Sequence, residues 1–391
     1  MASPLVNTMD GADVSAAAKV RWDAVVIGAG VAGNVCAHVL AQGGARVLLV
    51  ERSVLPRNKV CGCCLGPVGV ERLEEAGLGA ALAGASRIET CELRIGRRTA
   101  TLPAPGFRVI GRDVLDARLA AAAQSAGAWV LTGWSARVQR GGTVELRKAT
   151  SGSVTIRARV IIVADGLGGT SLADRPEFGW WTSPRSRMGL GAILKRSPFP
   201  LGLEGLSMVC GRAGYLGLVR LPTGEIDAAA SLDPAAIRAA GGPATLCAQL
   251  VSIAGGDAEA MTNAEWRGTP LLTRRRTRIE SGNVYVVGDA AGYVEPFTGE
   301  GMTWAIRGSL LVAEIVQAAL ASRSAAGSWT RLHQQELAAE HRRCRVVARL
   351  LRHPRALAAA VAVGAYVPSL LSRAASVLGP RAAQRCEGRA A

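Results

Sequence analysis

Aromatic residues are scarce in this chain of 391 residues, 4% against 49% hydrophobic residues overall. The apolar content lies mainly in aliphatic residues, and 47 Gly accompany them. That mixture suits α/β layers with close backbone approach. Acidic residues are also short, 30 against 46 basic ones, for a formal charge of +16. Such an excess could attract nucleic acid, an anionic membrane or an anionic cofactor. The Arg residues are scattered, however, and no nucleic-acid-binding motif accompanies them, so nucleic acid is not expected as a partner. The first 20 residues lack the basic-then-apolar pattern of a secretory signal,. With no such signal, the odd count of nine Cys reads as reduced thiols in a cytoplasmic protein,. Cys61 and Cys64 make one C-x-x-C, but no second Cys or His pair stands at zinc spacing, so no metal is expected,.

What is present is a β-α-β opening. Asp23–Ile27 is a short apolar run, Gly-rich sequence follows, and Val31–Ala41 has helical periodicity,. Ala45–Val50 is a second apolar run, closed by Glu51. Two largely apolar strands around a helix predict a parallel sheet covered on both faces. Further on, the pattern predicts a helix over Gly66–Leu82, short strands within Cys91–Ile110, and a helix over Asp113–Ser125 capped by Asp113,. Asp116 in its first turn suits the positive end of the helix dipole,. A β-meander is predicted over Val138–Arg159, turning at Gly141 and Gly142, and then a buried strand over Val160–Ala164,. From Pro176 to about Thr269 the texture becomes richer in Pro, Trp and Gly, with strand-like runs at Met188–Leu194, Tyr215–Val219 and Ile226–Ser231. Val284–Val287 returns to the buried-strand pattern and leads into a long helix over Gly301–Ala319. The expected fold class is α/β, with a Rossmann-like domain, a β-rich second domain and a C-terminal helical region. The expected boundaries are a flexible leader over 1–20, a nucleotide-binding unit over 21–175 and 271–327 with inserted strands at about 88–111, a β-rich domain over 176–270, and helices over 328–391.

Three motifs carry the chemistry. The first is Gly28-Ala29-Gly30-Val31-Ala32-Gly33, which follows a strand, opens a helix and has Glu51 closing the next strand. That context is what a dinucleotide fingerprint requires. Gly28 permits the turn, Gly30 lets backbone approach a diphosphate at the helix N-terminus, and Gly33 lets helix and strand pack closely. The second is Val163-Ala164-Asp165-Gly166, a strand ending in Asp-Gly, followed by Ser171 and Arg175. The third is Gly288-Asp289-Ala290-Ala291-Gly292, followed by Pro296, Gly299, Glu300 and Gly301. Its Asp could accept from sugar-like hydroxyls, and the next helix would point its positive end into the cleft.

In this order the three motifs resemble the para-hydroxybenzoate hydroxylase-type FAD fold, which includes aromatic hydroxylases, flavin halogenases and the geranylgeranyl reductases. The resemblance covers roughly residues 22–320. It implies FAD as cofactor, with Gly28, Gly30, Gly33, Glu51 and Arg52 at the ADP moiety, and Asp165 and Gly166 near the diphosphate. It also implies Asp289 on the ribityl chain, Gly299, Gly301 and Met302 at the flavin edge, and Arg112 as a further FAD contact. Only one G-x-G-x-x-G is present, so NAD(P)H, the expected electron donor, has no Rossmann domain of its own. The Arg57-Asn58-Lys59-Val60-Cys61-Gly62 segment resembles the Lys-x-Cys-Gly stretch of the geranylgeranyl reductase branch, as do Gly292 and the Glu295–Gly301 loop. By that resemblance Lys59 and Cys61 are the candidate catalytic residues. Two departures stand beside it. Gly214–Arg220 occupies the place of that branch's aromatic Tyr-x-Trp-x-Phe-Pro segment, and the halogenase Trp-x-Trp-x-Ile-Pro segment is missing.

The expected function is redox chemistry on a hydrophobic small molecule with FAD as the reactive group. An NAD(P)H-dependent monooxygenase is the first reading. A reductase of isoprenoid or lipid C=C bonds is the second, and a flavoprotein that only passes electrons to a partner is the third. The C-terminal stretch is basic around His341–Arg355 and then apolar over Ala356–Leu371, about 16 residues and short for a membrane span,. It is expected either to cap the substrate domain or to touch a membrane peripherally. Oligomeric state is not readable.

Overall fold

The computed structural model describes residues 11–148, 152–199, 205–295, 297, 299–322 and 328–353. The strand Trp22–Ile27 lies at the centre of the first sheet. It pairs in parallel with Val47–Glu51 on one side and with Gly152–Val163 on the other. The full order is Glu280–Ser281, Val284–Val286, Gly152–Val163, Trp22–Ile27, Val47–Glu51, Trp129–Thr132. The central strand is nearly all buried, as its unbroken apolar run requires of a sheet covered on both faces. The helices Val31–Gln42 and Gly301–Ser322 pack together over it. The meander and the buried strand predicted separately are joined. Gly152–Val163 is one strand whose first half pairs antiparallel with Thr143–Lys148 and whose second half pairs in parallel with Trp22–Ile27. The turn that leads into Thr143–Lys148 runs through Gly141 and Gly142, both at positive φ.

The second sheet has eight strands in the order Arg267–Leu271, Met188–Leu194, Ile226–Leu232, Gly214–Arg220, Leu206–Gly211, Ser86–Ile95, Arg98–Val109, Cys64–Leu65. The strands near 88–111 therefore belong to this sheet, not to the nucleotide-binding unit. The parallel pairing of Ser86–Ile95 with Leu206–Gly211 makes the join. Periodicity cannot show such a pairing, because it links segments far apart in sequence. The helix Pro243–Ile253 covers one face of the sheet with Leu246, Cys247, Leu250 and Val251. A third, three-stranded sheet of Trp180–Thr182, Arg274–Arg276 and Gly292–Tyr293 sits beside these two.

Three further expectations differ from the structure. The segment read as a flexible leader contains a helix, Gly11–Lys19, docked through buried Val14 and Ala17 and held by Trp22 Nε1 donating to the Ala17 carbonyl at 2.9 Å. The helix predicted over Gly66–Leu82 is Pro67–Glu75, followed by a separate short turn at Gly79–Leu82. Gly77 at φ +73 breaks it, a conformation glycine adopts without steric cost. The helix expected from Asp113 starts at Arg112 with Gly111 as N-cap, so Asp113 is in its first turn and does not cap it.

Near the C-terminus, Trp329–Glu336 and Ala338–Leu350 are helices. Trp304 Nε1 donates to Glu340 Oε2 at 2.8 Å, tying the second of these to the long Gly301–Ser322 helix. That long helix is apolar enough to span a bilayer by length and composition, but half of its apolar window is buried inside the protein. The Ala356–Leu371 stretch lies outside the described residues.

Candidate active site

The first motif builds a bare backbone corner. Gly28 has φ +103, and a Cβ there would stand 2.5 Å from the Ala164 carbonyl oxygen. A Cβ on Gly33 would stand 1.8 Å from the Gly28 carbonyl oxygen, so this glycine is required for packing alone. Gly30 differs from both. A Cβ there would meet only cations, with Arg112 Nη2 and Lys59 Nζ at 3.7 Å and Arg57 Nη2 at 3.9 Å. Three positive groups thus converge over a helix N-terminus whose amides point the same way, which is the charge pattern an anion needs.

Glu51 and Asp116 hold these cations in place. Glu51 Oε2 accepts from the Ala29 amide at 3.0 Å and from Arg57 at 3.1 Å, and Oε1 accepts from the Ser53 amide at 3.0 Å. Burial pushes the Glu51 carboxyl up, but the Arg57 charge and these hydrogen bonds outweigh it and hold the pKa below the usual range. Arg57 also donates to Asp116 Oδ2 at 3.1 Å. Asp116 is fully buried and receives Arg112 through two bonds. The sequence reading assigned Asp116 only to the helix dipole and gave Arg57 no role. Their partnership depends on Arg57 coming from a distant loop, which no spacing reveals. Asn34 was also missed; it donates to the carbonyls of Ala29 and Asp116 at 3.0 Å each, fastening the corner to the Arg112–Ser125 helix.

Lys59 was expected at the reacting end and is placed elsewhere. Its ammonium lies over Gly30 and 3.2 Å from where a Gly166 Cβ would be, between the first and second motifs. Burial and the Arg112 charge lower its pKa, against Asp289 and Asp116. Asp165 accepts from the Ser171 amide at 3.0 Å through Oδ2, and its Oδ1 is buried without a partner. Burial pushes its pKa up, opposed by the hydrogen bonds from Ser171. Gly288, at φ +59, packs the third motif onto the first, since a Cβ there would stand 2.9 Å from the Ala32 Cβ.

A cleft of about 440 Å³ runs from this corner to the second sheet. Gly30, Arg52, Lys59, Arg112, Asp165 and Gly166 line one end, and Cys61, Asp289, Gly299, Gly301 and Met302 continue it. Gly28, Gly33 and Glu51 stand behind the lining, where they shape the corner. Beyond, the wall is apolar, with Phe107, Leu206, Met208 and Phe297, and ends at Tyr215 and Ser231. Tyr293, which sequence reasoning passed over, also lines the cleft. Burial, and then the charge of Asp289, push its phenol well up.

The Lys59–Gly62 segment can lie along the sheet because the strands beneath it are bare. Gly191, Ala229 and Gly217 are cross-strand neighbours in one row. A Cβ on Gly191 would stand 3.1 Å from Val60 Cγ1, and one on Gly62 would stand 3.7 Å from the Ala229 Cβ. Cys61 is thereby presented between Arg112 and Cys63. The Cys63 thiol brings its pKa down to about 5, and Arg112 adds to this against the opposing effect of burial. Cys64 is core, and burial pushes its thiol well up. Among the described residues no three His, Cys, Asp or Glu side chains gather as a metal site.

The residues present fit an FAD. Arg112, Lys59 and Arg57 with the Gly30 corner would hold the diphosphate, Glu51 and Arg52 would serve the adenosine end, and Asp289 would serve the ribityl chain. Asp165 Oδ1, buried and unsatisfied, awaits a donor at the same cleft,.

Comparison with known proteins agrees with this geometry. The chain is 28% identical over 360 residues to a menaquinone reductase of Mycobacterium tuberculosis, covering 86% of this chain and 85% of that one. It is 27% identical to a menaquinone reductase of Mycolicibacterium smegmatis, over 92% and 91% of the two chains. Among solved structures, a flavoprotein/dehydrogenase from Cytophaga hutchinsonii superposes with a TM-score of 0.75 at 19% identity, over 85% and 86% of the chains. PqsL of Pseudomonas aeruginosa, solved with 2-aminobenzoylacetate, superposes with a TM-score of 0.70 at 21% identity, over 86% and 98%. The FAD binding domain family model matches residues 21–330, and with the diphosphate corner and the cleft in place the chain belongs to that family, as an FAD-dependent oxidoreductase of the para-hydroxybenzoate hydroxylase-type fold.

Proposed function

We propose that this protein reduces a C=C bond in a hydrophobic, isoprenoid-bearing substrate such as a polyprenyl quinone, with NAD(P)H as the electron donor. The observation that carries this reading is Cys61, an ionisable thiol at the flavin end of an apolar cleft, facing a fixed guanidinium. The near-full-length similarity to menaquinone reductases supports it. Bound in the cleft, FAD supplies two electrons as a hydride. The protein must supply the rest. The apolar walls of Phe107, Leu206 and Met208 bind a chain and exclude water, and Tyr215 with Ser231 gives the far end a polar stop. Cys61 delivers a proton to the second carbon of the double bond, and Arg112 steadies the thiolate that remains. The Gly301 helix start places its positive end towards negative charge that develops on reduction,.

The second reading, oxygen-dependent hydroxylation, fits the same fold, but it gives the Cys61 sulfur beside Arg112 nothing to do. The deciding experiment is anaerobic turnover of the FAD-loaded enzyme with NADPH or NADH and a polyprenyl quinone. The expected product carries two additional hydrogens. A product that forms only in air and carries an additional oxygen would overturn the proposal.

A substrate of that kind lies in a bilayer, and the Ala338–Leu350 helix offers a way to reach it. Arg342, Arg345, Val346, Arg349 and Leu350 recur at helical spacing, and all are exposed. Val346 and Leu350 are 52% and 53% exposed among those arginines. A basic and apolar stripe of this kind supports peripheral contact with anionic lipid. A cytoplasmic protein at the membrane surface is part of this proposal.

A further inference from the structure

The proposed reaction leaves one side of Cys61 unexplained. The segment from Lys59 to Cys63 is a partition. One side of it lines the FAD cleft, and the other lines a second cavity of about 560 Å³. Asp227 stands in the wall of that second cavity. It is two residues before Ala229, which packs against Gly62, and alternate residues of a strand share a face. Asp227 therefore points at the same partition. Its cross-strand neighbours are Ile193 and Val219, which have no polar side chain to offer,. It is 5% exposed, and its Oδ2 has no hydrogen-bond partner.

The other charged groups around this cavity are engaged elsewhere. Arg118 is held by the carbonyls of Ala81 and Ala83, Arg267 pairs with Glu265, and Arg112 is fixed by Asp116. Glu225, Asp113 and Lys59 complete the charged part of the wall. A carboxylate buried with no cation of its own is costly, and the group keeps its proton instead. Burial first, and then the charge of Cys61, push the Asp227 carboxyl well above the usual range. Cys61, Cys63 and Asp227 all stand in the wall of this cavity, and Cys63 is the group through which both the Cys61 thiol and the Asp227 carboxyl are influenced. At φ +52 it is the one non-glycine with positive φ among the described residues. A non-glycine held there is strained, and such strain gathers where function dictates geometry.

We propose that Asp227, acting through Cys63, is the proton reservoir that reloads Cys61 from the second cavity. The proposal rests on Cys61 being the proton donor. Cys63 and Arg112 favour the Cys61 thiolate, so a neighbour that keeps a proton is needed to reload it. In the cycle, the Asp227 O–H proton moves to the Cys63 sulfur as the Cys63 S–H proton moves to the Cys61 sulfur. The Cys61 S–H bond so formed then breaks as its proton goes to the substrate carbon, the Cys61 sulfur keeping the electron pair. Asp227 regains a proton from water in the second cavity. Nothing is oxidised or reduced among the three groups, which makes Asp227 a positioning and relay residue.

The test uses the FAD-loaded enzyme and the Asp227→Asn variant, which keeps the volume but has no proton to release. At pH 7 the infrared spectrum of the wild type should show a protonated-carboxyl stretch that is missing in Asp227→Asn. The variant should keep its FAD content and its KM and lose turnover by on the order of 10²-fold, and Asp227→Glu should recover part of it. No such stretch, or wild-type turnover in Asp227→Asn while Cys61→Ala is inactive, overturns the relay and leaves the function standing. Wild-type turnover in Cys61→Ala overturns the proposed function and the relay together.

Discussion

Asp116 takes both Nε and Nη2 of Arg112, at 3.0 and 2.8 Å, from one turn further along the same helix. The pair is almost wholly buried, and Arg57 joins it at 3.1 Å. Asp116→Ala should release two of the three cations over Gly30. A broken buried pair costs about 3–5 kcal/mol, so the variant should melt earlier and bind FAD at least about tenfold more weakly. Flavin fluorescence titration measures the second effect, and an unchanged dissociation constant in a folded variant would show that Asp116 does not position the cations.

Gly30 and Gly33 should fail in different ways. Gly30→Val meets no backbone, since its nearest neighbours are the far ends of flexible side chains. It should fold, with a normal far-UV spectrum, and purify colourless. Gly33→Ala drives a Cβ towards the Gly28 carbonyl oxygen and should lose stability before any question of cofactor arises. A yellow Gly30→Val with full FAD occupancy would remove the diphosphate from this corner.

Asp289→Ala should weaken FAD binding by roughly 1–3 kcal/mol, the value of a hydrogen bond to a charged acceptor. Lys59, which the Asp289 charge reaches, should lose some support in the same variant. Equal FAD affinity in wild type and variant would take the third motif away from the cofactor.

The pH dependence of Cys61 is directly readable. Only the thiolate is alkylated, so iodoacetamide modification mapped to Cys61 should rise with pH and level off just above pH 5. Cys63→Ala removes the first cause of the shift and should move the midpoint upward. Because the folded pKa lies below that of a free thiol, ionisation favours the folded state above about pH 8.5. That contribution fades as pH falls towards 5. A midpoint near that of a free thiol would remove Arg112 and Cys63 as its cause.

Vesicle sedimentation checks the C-terminal helix. Binding to anionic vesicles should exceed binding to neutral ones and fall with added salt. Replacing Val346 and Leu350 together with Ser should weaken it further. Equal binding to both vesicle types would disconnect the arginine stripe from lipid.

Much of the cofactor end was legible because its signals are local. Gly28, Gly30 and Gly33 stand within six residues, and the chain itself brings them to one turn. Asp289 and Gly301 were legible for the same reason, each at the end of an element that its own periodicity reveals. Asp116, Arg57 and Asp227 were not, because each acquires its meaning from a partner in a different element. For Lys59 the resemblance located the segment, but only the fold shows that its ammonium lies over Gly30. The strands at 88–111 were assigned to the wrong unit, since alternation reveals a strand but not the sheet it joins.

The row of Gly191, Ala229 and Gly217 acts as a shelf, and its height sets how far the Cys61 segment stands out into the cleft. A methyl or two added at Ala229, itself part of the cleft wall, would press on that segment at Gly62 and narrow the cleft. Substrate size in this protein can thus be retuned from the sheet, through the small residues that carry the Cys61 segment.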